Sequence, residues 1–445
     1  MTLNRYLIGL YIIIISTIKI IAQNPIIKDV GMADPHIRIF NDKAYLYATR
    51  DADKTAKTFV MPDWNIWSSE DLVNWTFERT IKPSETYMGK SNDCWAPDTE
   101  SRNGKYYFYF SNKNINTGVM IGDSPSGPFQ DALGKPLLPE DLTPIKEYDP
   151  TILIDDDENK TPYIAFGHHR SNDAAFYFCI AKLNEDMISL AEKPKEIKII
   201  GNVNVLSGND KPTLHKRNGI YYLSAGSHYA TATNVYGPYT KCGNSGNDAY
   251  GLNSRAHGNY FDWNGQSFHT WCHFHLGKDV ARYRESYITY LHYRKNGEMV
   301  SDVDYLDKHF SMGVGQYDAC WGKIEAEWYM GASKVEKTEN FLGGFEISKV
   351  QNGGTLYFPN VKNTTCLKTI TFYASSINGV TIEVYADKAE TKLLGKCEFS
   401  GTGGWKSYKS ISCELDNTAD ANNIYLKFIG KDEDLIHLDW FKFKE

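Results

Sequence analysis

Four aspartates and one histidine stand ahead of five turns at matching distances: Asp34, Asp98, Asp149, Asp210 and His257. Each lies about one strand upstream of a polar or Gly-containing turn that opens a short aromatic-rich run, at 41–47, 103–109, 158–164, 218–223 and 264–269. Three of the aspartates have a proline within two residues: Asp34-Pro35, Asp149-Pro150 and Asp210-Lys211-Pro212. Proline fixes the backbone where a strand begins. Carboxylates crowded into one partly dry place repel one another, which drives their pKa values apart and yields one acid and one base. Such a pair does the work of hydrolysing a glycosidic bond. A lone Asp-Pro reads as a turn cap; three in corresponding repeat positions read as a site.

The repeats must position that site. Units of one supersecondary type bury their faces only by stacking into a closed array. The turns recur at roughly 46 to 62 residues, the length of a four-stranded blade with variable outer loops. Helical periodicity is weak and Asn-Gly turns recur, so the expected class is all-β. The expected architecture is a five-bladed β-propeller over residues 23–320, with the five polar residues where the innermost strands meet a central channel. The segment 311–316 reads as a closing linker. From Lys323 to the end the style changes to period-two strands, such as 369–374, 380–385 and 424–429, with turns every 8 to 15 residues. That pattern predicts a β-sandwich (jelly-roll) domain over 323–445.

Composition narrows the function classes. Thirty Tyr and ten Trp suit β structure and surfaces on which sugars stack. A formal charge of −7 with no long basic run argues against nucleic acid as a partner. Residues 1–22 carry an apolar run broken by Ser16, Thr17 and Lys19, and read as a signal peptide. The expectation is a secreted or periplasmic protein, with no membrane association after cleavage. No Cys follows the run, so a lipid anchor has no acceptor. The eight cysteines form no C-x-x-C pair, which leaves zinc ribbons and redox motifs unsupported. Cys397 and Cys413 flank Gly-Thr-Gly-Gly and could face each other across adjacent strands; buried free thiols are the other reading.

The motifs around the polar residues resemble a known group. Ala33-Asp34-Pro35-His36, Cys94-Trp95-Ala96-Pro97-Asp98, Tyr148-Asp149-Pro150-Thr151, the run 212–223, His257-Gly258-Asn259 and Arg284-Glu285-Ser286 look like successive blade motifs of the family 43 glycoside hydrolases. The resemblance covers about 28–300. It implies inverting cleavage of furanosides or xylosides, with no cofactor for catalysis. Asp34 would be the general base, Asp149 would tune and orient the acid, and Asp210 would be the acid. The family usually has Glu at that last place, and Asp is one methylene shorter. A carboxyl set back by about 1 Å can cost on the order of 100-fold in rate. His257 corresponds to a channel-axis histidine beside which an ion could sit. Arg284 corresponds to an arginine near the acid that holds substrate hydroxyls or lowers a carboxylate pKa, with Arg282 as a rival. Trp95 would stack on a sugar at the pocket wall.

The second domain resembles the family 6 carbohydrate-binding modules, through Ile324-Glu325-Ala326-Glu327, Gly403-Gly404-Trp405 and 436–441. That resemblance implies a structural calcium on Glu325, Glu327 and Asp439, and a sugar platform at Trp405 with Phe345 as a second wall. His437 stands where those modules place a sugar-binding Asn. The expected partner is an oligo- or polysaccharide. The expected function is an exported glycoside hydrolase, of the α-L-arabinofuranosidase or β-xylosidase type, that releases furanosyl or xylosyl residues. α-L-Arabinofuranose is the first choice; β-xylose and galactofuranose are the alternatives. A catalytically weak glycan-binding propeller is the competing reading, because of the Asp at 210.

Overall fold

The computed structural model describes residues 20–21, 24–167, 178–200, 211–246, 257–274, 280–416, 418 and 420–444. Asp210 and the apolar run 1–19 lie outside the described residues.

The Asn-Gly turns are hairpins. Asn103-Gly104, Asn218-Gly219 and Asn264-Gly265 all have positive φ at both residues, as does Asn41-Asp42. Two consecutive left-handed residues give the turn whose twist matches paired strands, and Asn and Gly adopt it at least cost. Each closes the first two strands of a sheet, with Phe40 opposite Lys43, Arg102 opposite Lys105, Arg217 opposite Ile220 and Trp263 opposite Gln266. The third repeat uses a longer connection, from Ile154 to Pro162.

Among the described residues, five antiparallel sheets follow in chain order, one per repeat. The first holds Met32–Phe40, Lys43–Arg50, Trp64–Ser69 and Asn74–Ile81. The second holds Cys94–Arg102, Lys105–Asn112, Asn116–Gly122 and Phe129–Asp131. The third runs from Thr151–Ile154 to Lys195–Glu196, the fourth from Pro212–Arg217 to Tyr239–Asn244, and the fifth from Tyr260–Trp263 to Met299–Ser301. Two short strands add to this pattern: Ile20–Ile21 pairs with the outer strand of the first sheet, and Ile199–Ile200 lies parallel to Tyr239–Asn244.

The leading strands are tied together by buried polar side chains. Arg38 donates to both oxygens of Asp98 and to the Ile152 carbonyl, joining the first three sheets. Thr213 donates to the Gly258 carbonyl, joining the fourth sheet to the fifth. The Asn259 amide accepts from Ile37 N–H and donates to Ile37 C=O, at 3.0 and 2.8 Å, which brings the last sheet back to the first. Gly258 is required there: a Cβ would stand 1.8 Å from the Thr270 carbonyl oxygen.

A helix, Val303–His309, follows the fifth sheet and begins at Asp302, whose carboxylate accepts from Tyr305 N–H at 2.8 Å. No helical period had marked it; a single cap and the burial of Tyr305 and Leu306 suffice. Two more sheets then face each other. One orders Glu336–Glu339, Phe345–Ser348, His437–Lys444, Thr369–Ser375 and Lys409–Glu414; the other orders Gly331–Ser333, Gly354–Phe358, Ile424–Ile429, Val380–Tyr385 and Leu393–Phe399. Alternating residues such as Val380, Ile382 and Val384 are buried between them.

Cys397 and Cys413 form a disulfide, as does the pair Cys320 and Cys366. The 397–413 bridge joins edge strands of the two opposed sheets, rather than neighbours within one sheet. The sandwich shares with the first and fifth sheets one apolar core, which runs from Ile37 and Leu46 through Tyr290 and Trp328 to Leu438 and Phe441. Gln266 donates to the carbonyls of Glu327 and Tyr329 across this junction.

Candidate active site

Asp34 sits where the pairing of Met32–Phe40 with Lys43–Arg50 slips register, between Ala33 and His36. Such a bulge turns a side chain out of the pleat's alternation. Asp34 has φ of 52° and Asp149, just ahead of Thr151–Ile154, has φ of 58°. Left-handed backbone at two non-glycine residues is uncommon and costs energy, and aspartate tolerates it better than most.

Both carboxylates are almost wholly shielded from solvent, at 1% and 0% exposure. His257 lies between them: Nδ1 is 2.7 Å from Asp34 Oδ1 and Nε2 is 3.8 Å from Asp149 Oδ2. Asp149 also accepts from the Ser111 hydroxyl at 3.4 Å, and its own N–H donates back to that hydroxyl at 2.8 Å. The structure therefore brings Asp34, Asp149 and His257 together as expected. Both nitrogens of His257 face carboxylates. Among the described residues, no group of three or more His, Cys, Asp or Glu side chains is arranged to hold a metal ion.

Arg284, expected to hold hydroxyls or to lower a carboxylate pKa, lies against carboxylates. Its Nη1 reaches Asp34 Oδ1 at 2.6 Å, so among the described residues its partner is the expected base. Nε and Nη2 reach the two oxygens of Asp51 at 2.9 and 3.0 Å, and its backbone N–H adds a third bond to Asp51. Burial disfavours the guanidinium charge, but Asp34 and Asp51 outweigh it and hold Arg284 firmly protonated. For Asp51 the balance goes the other way: desolvation raises its carboxyl above the ordinary range despite Arg284. Asp51 had no motif to mark it. Cys272 Sγ, 3.7 Å from Asp34, is kept a neutral thiol by burial and by Asp34, with its pKa pushed up to about 11.

An aromatic wall flanks this cluster. Phe59 lies under the Arg284 guanidinium at 4.7 Å and meets Trp95 edge-on, with ring centroids 5.9 Å apart. Arg282 lies over Phe59 and Phe274, at 5.5 and 5.6 Å. Its Nη1, like the Trp95 indole nitrogen, is buried without a hydrogen-bond partner among the described residues. Two such donors beside partly exposed rings suit a ligand rich in hydroxyls.

Asp98 belongs to the scaffold. It takes two bonds from Arg38, one each from the N–H groups of Thr99 and Ile152, and a 3.0 Å contact from His36. No lone pair is left for chemistry.

In the second domain Trp405 stacks on His437, with centroids 4.3 Å apart, so one face of the expected platform is already covered. Phe345, expected as a second sugar wall, is buried and stacks on His292. Glu325, Glu327 and Asp439 feel one another's charge, and burial raises the pKa of all three. They have the donor chemistry for calcium; in the structure Lys323 sits on Glu325, and Asn340 donates to Asp439. Glu327 Oε2 is buried with no hydrogen-bond partner.

Comparison with known proteins agrees with this layout. Residues 22–299 match the family model of glycosyl hydrolases family 43, and residues 324–445 match that of carbohydrate binding module family 6. An arabinoxylan arabinofuranohydrolase of Paenibacillus polymyxa is 24% identical over 95% of this chain and 74% of its own. A beta-D-galactofuranosidase of Aspergillus niger is 31% identical over 63% of this chain and 84% of its own. Among solved structures, a Bacillus subtilis arabinoxylan arabinofuranohydrolase in complex with cellotetraose has a TM-score of 0.57 at 21% identity, covering 95% of this chain and 97% of that one. A beta-xylosidase/alpha-arabinofuranosidase from a compost metagenome, with xylotriose and in a calcium-free form, has a TM-score of 0.53 at 26% identity, covering 63% and 98%.

Proposed function

The chain belongs to family 43 of the glycosyl hydrolases, and from that premise we propose that it releases single furanosyl or xylosyl units from polysaccharide side chains, with inversion. α-L-Arabinofuranose is the first choice of sugar. The observation that carries this reading is Asp34, clamped at 2.6 Å by Arg284 and at 2.7 Å by His257, whose other nitrogen faces Asp149. A fixed cation favours the ionised form of a carboxylate beside it, and an ionised carboxylate can take a proton from attacking water. Asp149, held by Ser111 and His257, would orient the acid. Asp210, outside the described residues, would protonate the leaving oxygen. In this reading the five sheets are the five blades of a propeller, and the leading strands line its channel.

Aryl furanosides and xylosides test the proposal through released chromophore, with Asp34→Asn as control and proton NMR of the first-formed anomer. The wild type should release the sugar with inverted configuration, and the variant should lose about 100-fold or more. No release from any of these glycosides would remove the hydrolytic reading in favour of a glycan-binding protein. Galactofuranose is a second reading, favoured by the 31% identity to a beta-D-galactofuranosidase. The same screen decides between the two sugars.

Export belongs to the same proposal and rests on the apolar run within residues 1–22. So does calcium in the second domain, supported by the orphaned oxygen of Glu327. Calcium would have to displace Lys323 from Glu325. It should raise the Tm of the wild type and leave a Glu327→Gln variant unmoved; an indifferent wild type would end this part of the reading.

A further inference from the structure

Lys211 follows the expected acid directly in sequence, yet its ammonium lies inside the protein, and the residue is 1% exposed. Nζ donates to the Pro97 carbonyl at 2.7 Å and lies 2.8 Å from His36 Nδ1. His36 Nε2 in turn lies 3.0 Å from Asp98 Oδ1. Burial, Lys211 and Arg38 together hold His36 well below the usual histidine range, so the ring is neutral. Its Nδ1 then accepts from Lys211 and its Nε2–H donates to Asp98. The side chain is thus fixed at the junction of the first, second and fourth sheets.

Burying an ammonium is costly unless anions offset it. Asp98, the carboxylate that acts on it most strongly, is already saturated by Arg38 and two backbone N–H groups. The two channel arginines are each shared between carboxylates: Arg284 by Asp34 and Asp51, and Arg38 by Asp98 and Glu100. Burial lowers the pKa of the Lys211 ammonium; Asp98, then Asp149 and Asp34, oppose that lowering, and Arg38 adds to it.

We propose that Lys211 is a built-in cation of the channel that holds Asp149 and Asp34 in their ionised forms, a positioning residue for the hydrolysis proposed above, on which this role rests. The groups facing it are His36 and Arg38 on the first leading strand, Asp98 on the second, Asp149 ahead of the third, and Asp34 at the bulge. A Lys at this point does electrostatically what an ion in the channel would do, without a binding equilibrium.

The test compares the full-length wild type with Lys211→Met and Lys211→Gln, measuring kcat/KM against pH on the aryl glycoside that the wild type cleaves best. Removing a cation raises the pKa of nearby carboxylates, so the base is protonated at higher pH. The acid limb should move up by about one unit in both variants, making the loss near pH 5 about tenfold greater than near pH 7.5. Gln can keep the hydrogen bond to Pro97 but not the charge. A wild-type limb in Lys211→Gln, or a loss independent of pH in both variants, overturns the proposal.

A second readout needs no turnover. The Tm advantage of wild type over Lys211→Met should be larger near pH 7 than near pH 4.5, because protonated carboxylates no longer reward the ammonium. A difference that stays constant with pH overturns the proposal. A protein inactive on every glycoside would sink the hydrolase reading while leaving this electrostatic role to be judged on stability.

Discussion

Arg284 and Asp34 are 250 residues apart in sequence and 2.6 Å apart in the folded chain. Through the same guanidinium Arg284 also grips Asp51, so a single planar group sets the position and charge of two carboxylates. Such a fork cannot be replaced by a point charge.

Arg284→Met should therefore lower kcat/KM by about 100-fold or more and move the acid limb of the pH profile upward, since Asp34 loses its cation. Arg284→Lys should recover little, because one ammonium cannot span Asp34 and Asp51. Steady-state kinetics on an aryl furanoside checks both. Full recovery by lysine would mean that charge alone matters.

Trp95 offers a ring beside Phe59 and an indole N–H without a partner among the described residues. Trp95→Ala should raise KM about tenfold with a smaller change in kcat, as expected for a residue that holds substrate without meeting the reacting atoms. Trp95→Phe, which keeps the ring, should recover most of that loss. An unchanged KM would place the sugar elsewhere.

His437 gives the second domain a pH dependence. Burial works against its charge, but Asp434 and Glu346, at 3.2 and 3.0 Å, outweigh it and push its pKa from 6.5 up to about 9. A group whose folded pKa is raised contributes stability that is full below its unfolded pKa of 6.5 and is lost as pH rises toward 9. Tm should fall across that window, and His437→Gln should flatten the fall. Equal slopes in both proteins would contradict the ion pairs.

The Cys397–Cys413 bridge closes a short loop, with a sequence separation of 16. Replacing both cysteines by serine should lower unfolding free energy by about 3 kcal/mol through the freed unfolded chain. The denaturation midpoint of the sandwich reads this out. Sugar release at room temperature should stay as in the wild type, since the bridge touches none of the channel residues.

Much of this protein is legible in its sequence, because turn chemistry and alternation act over a few residues. Asn41-Asp42, Asn103-Gly104, Asn218-Gly219 and Asn264-Gly265 announce their hairpins, and Pro150 announces a strand start, whereas Pro35 falls at the bulge inside Met32–Phe40. The common spacing of these signals was enough to group Asp34, Asp149 and His257 before any coordinates. The folded chain decided the partners. The motif marked Arg284 as a fixed cation; packing of the fifth sheet against the first gave it Asp34 and Asp51 as partners. Lys211 and His36 stood in view between recognised residues, but only the meeting of three leading strands makes them a buried relay to Asp98. Trp405 and Phe345 read as sugar platforms from the family resemblance; tertiary contacts put His437 on one face of Trp405 and bury Phe345 against His292. Local preference fixes which strands form and where they turn, while charge pairing depends on which distant strands are brought within a few ångströms.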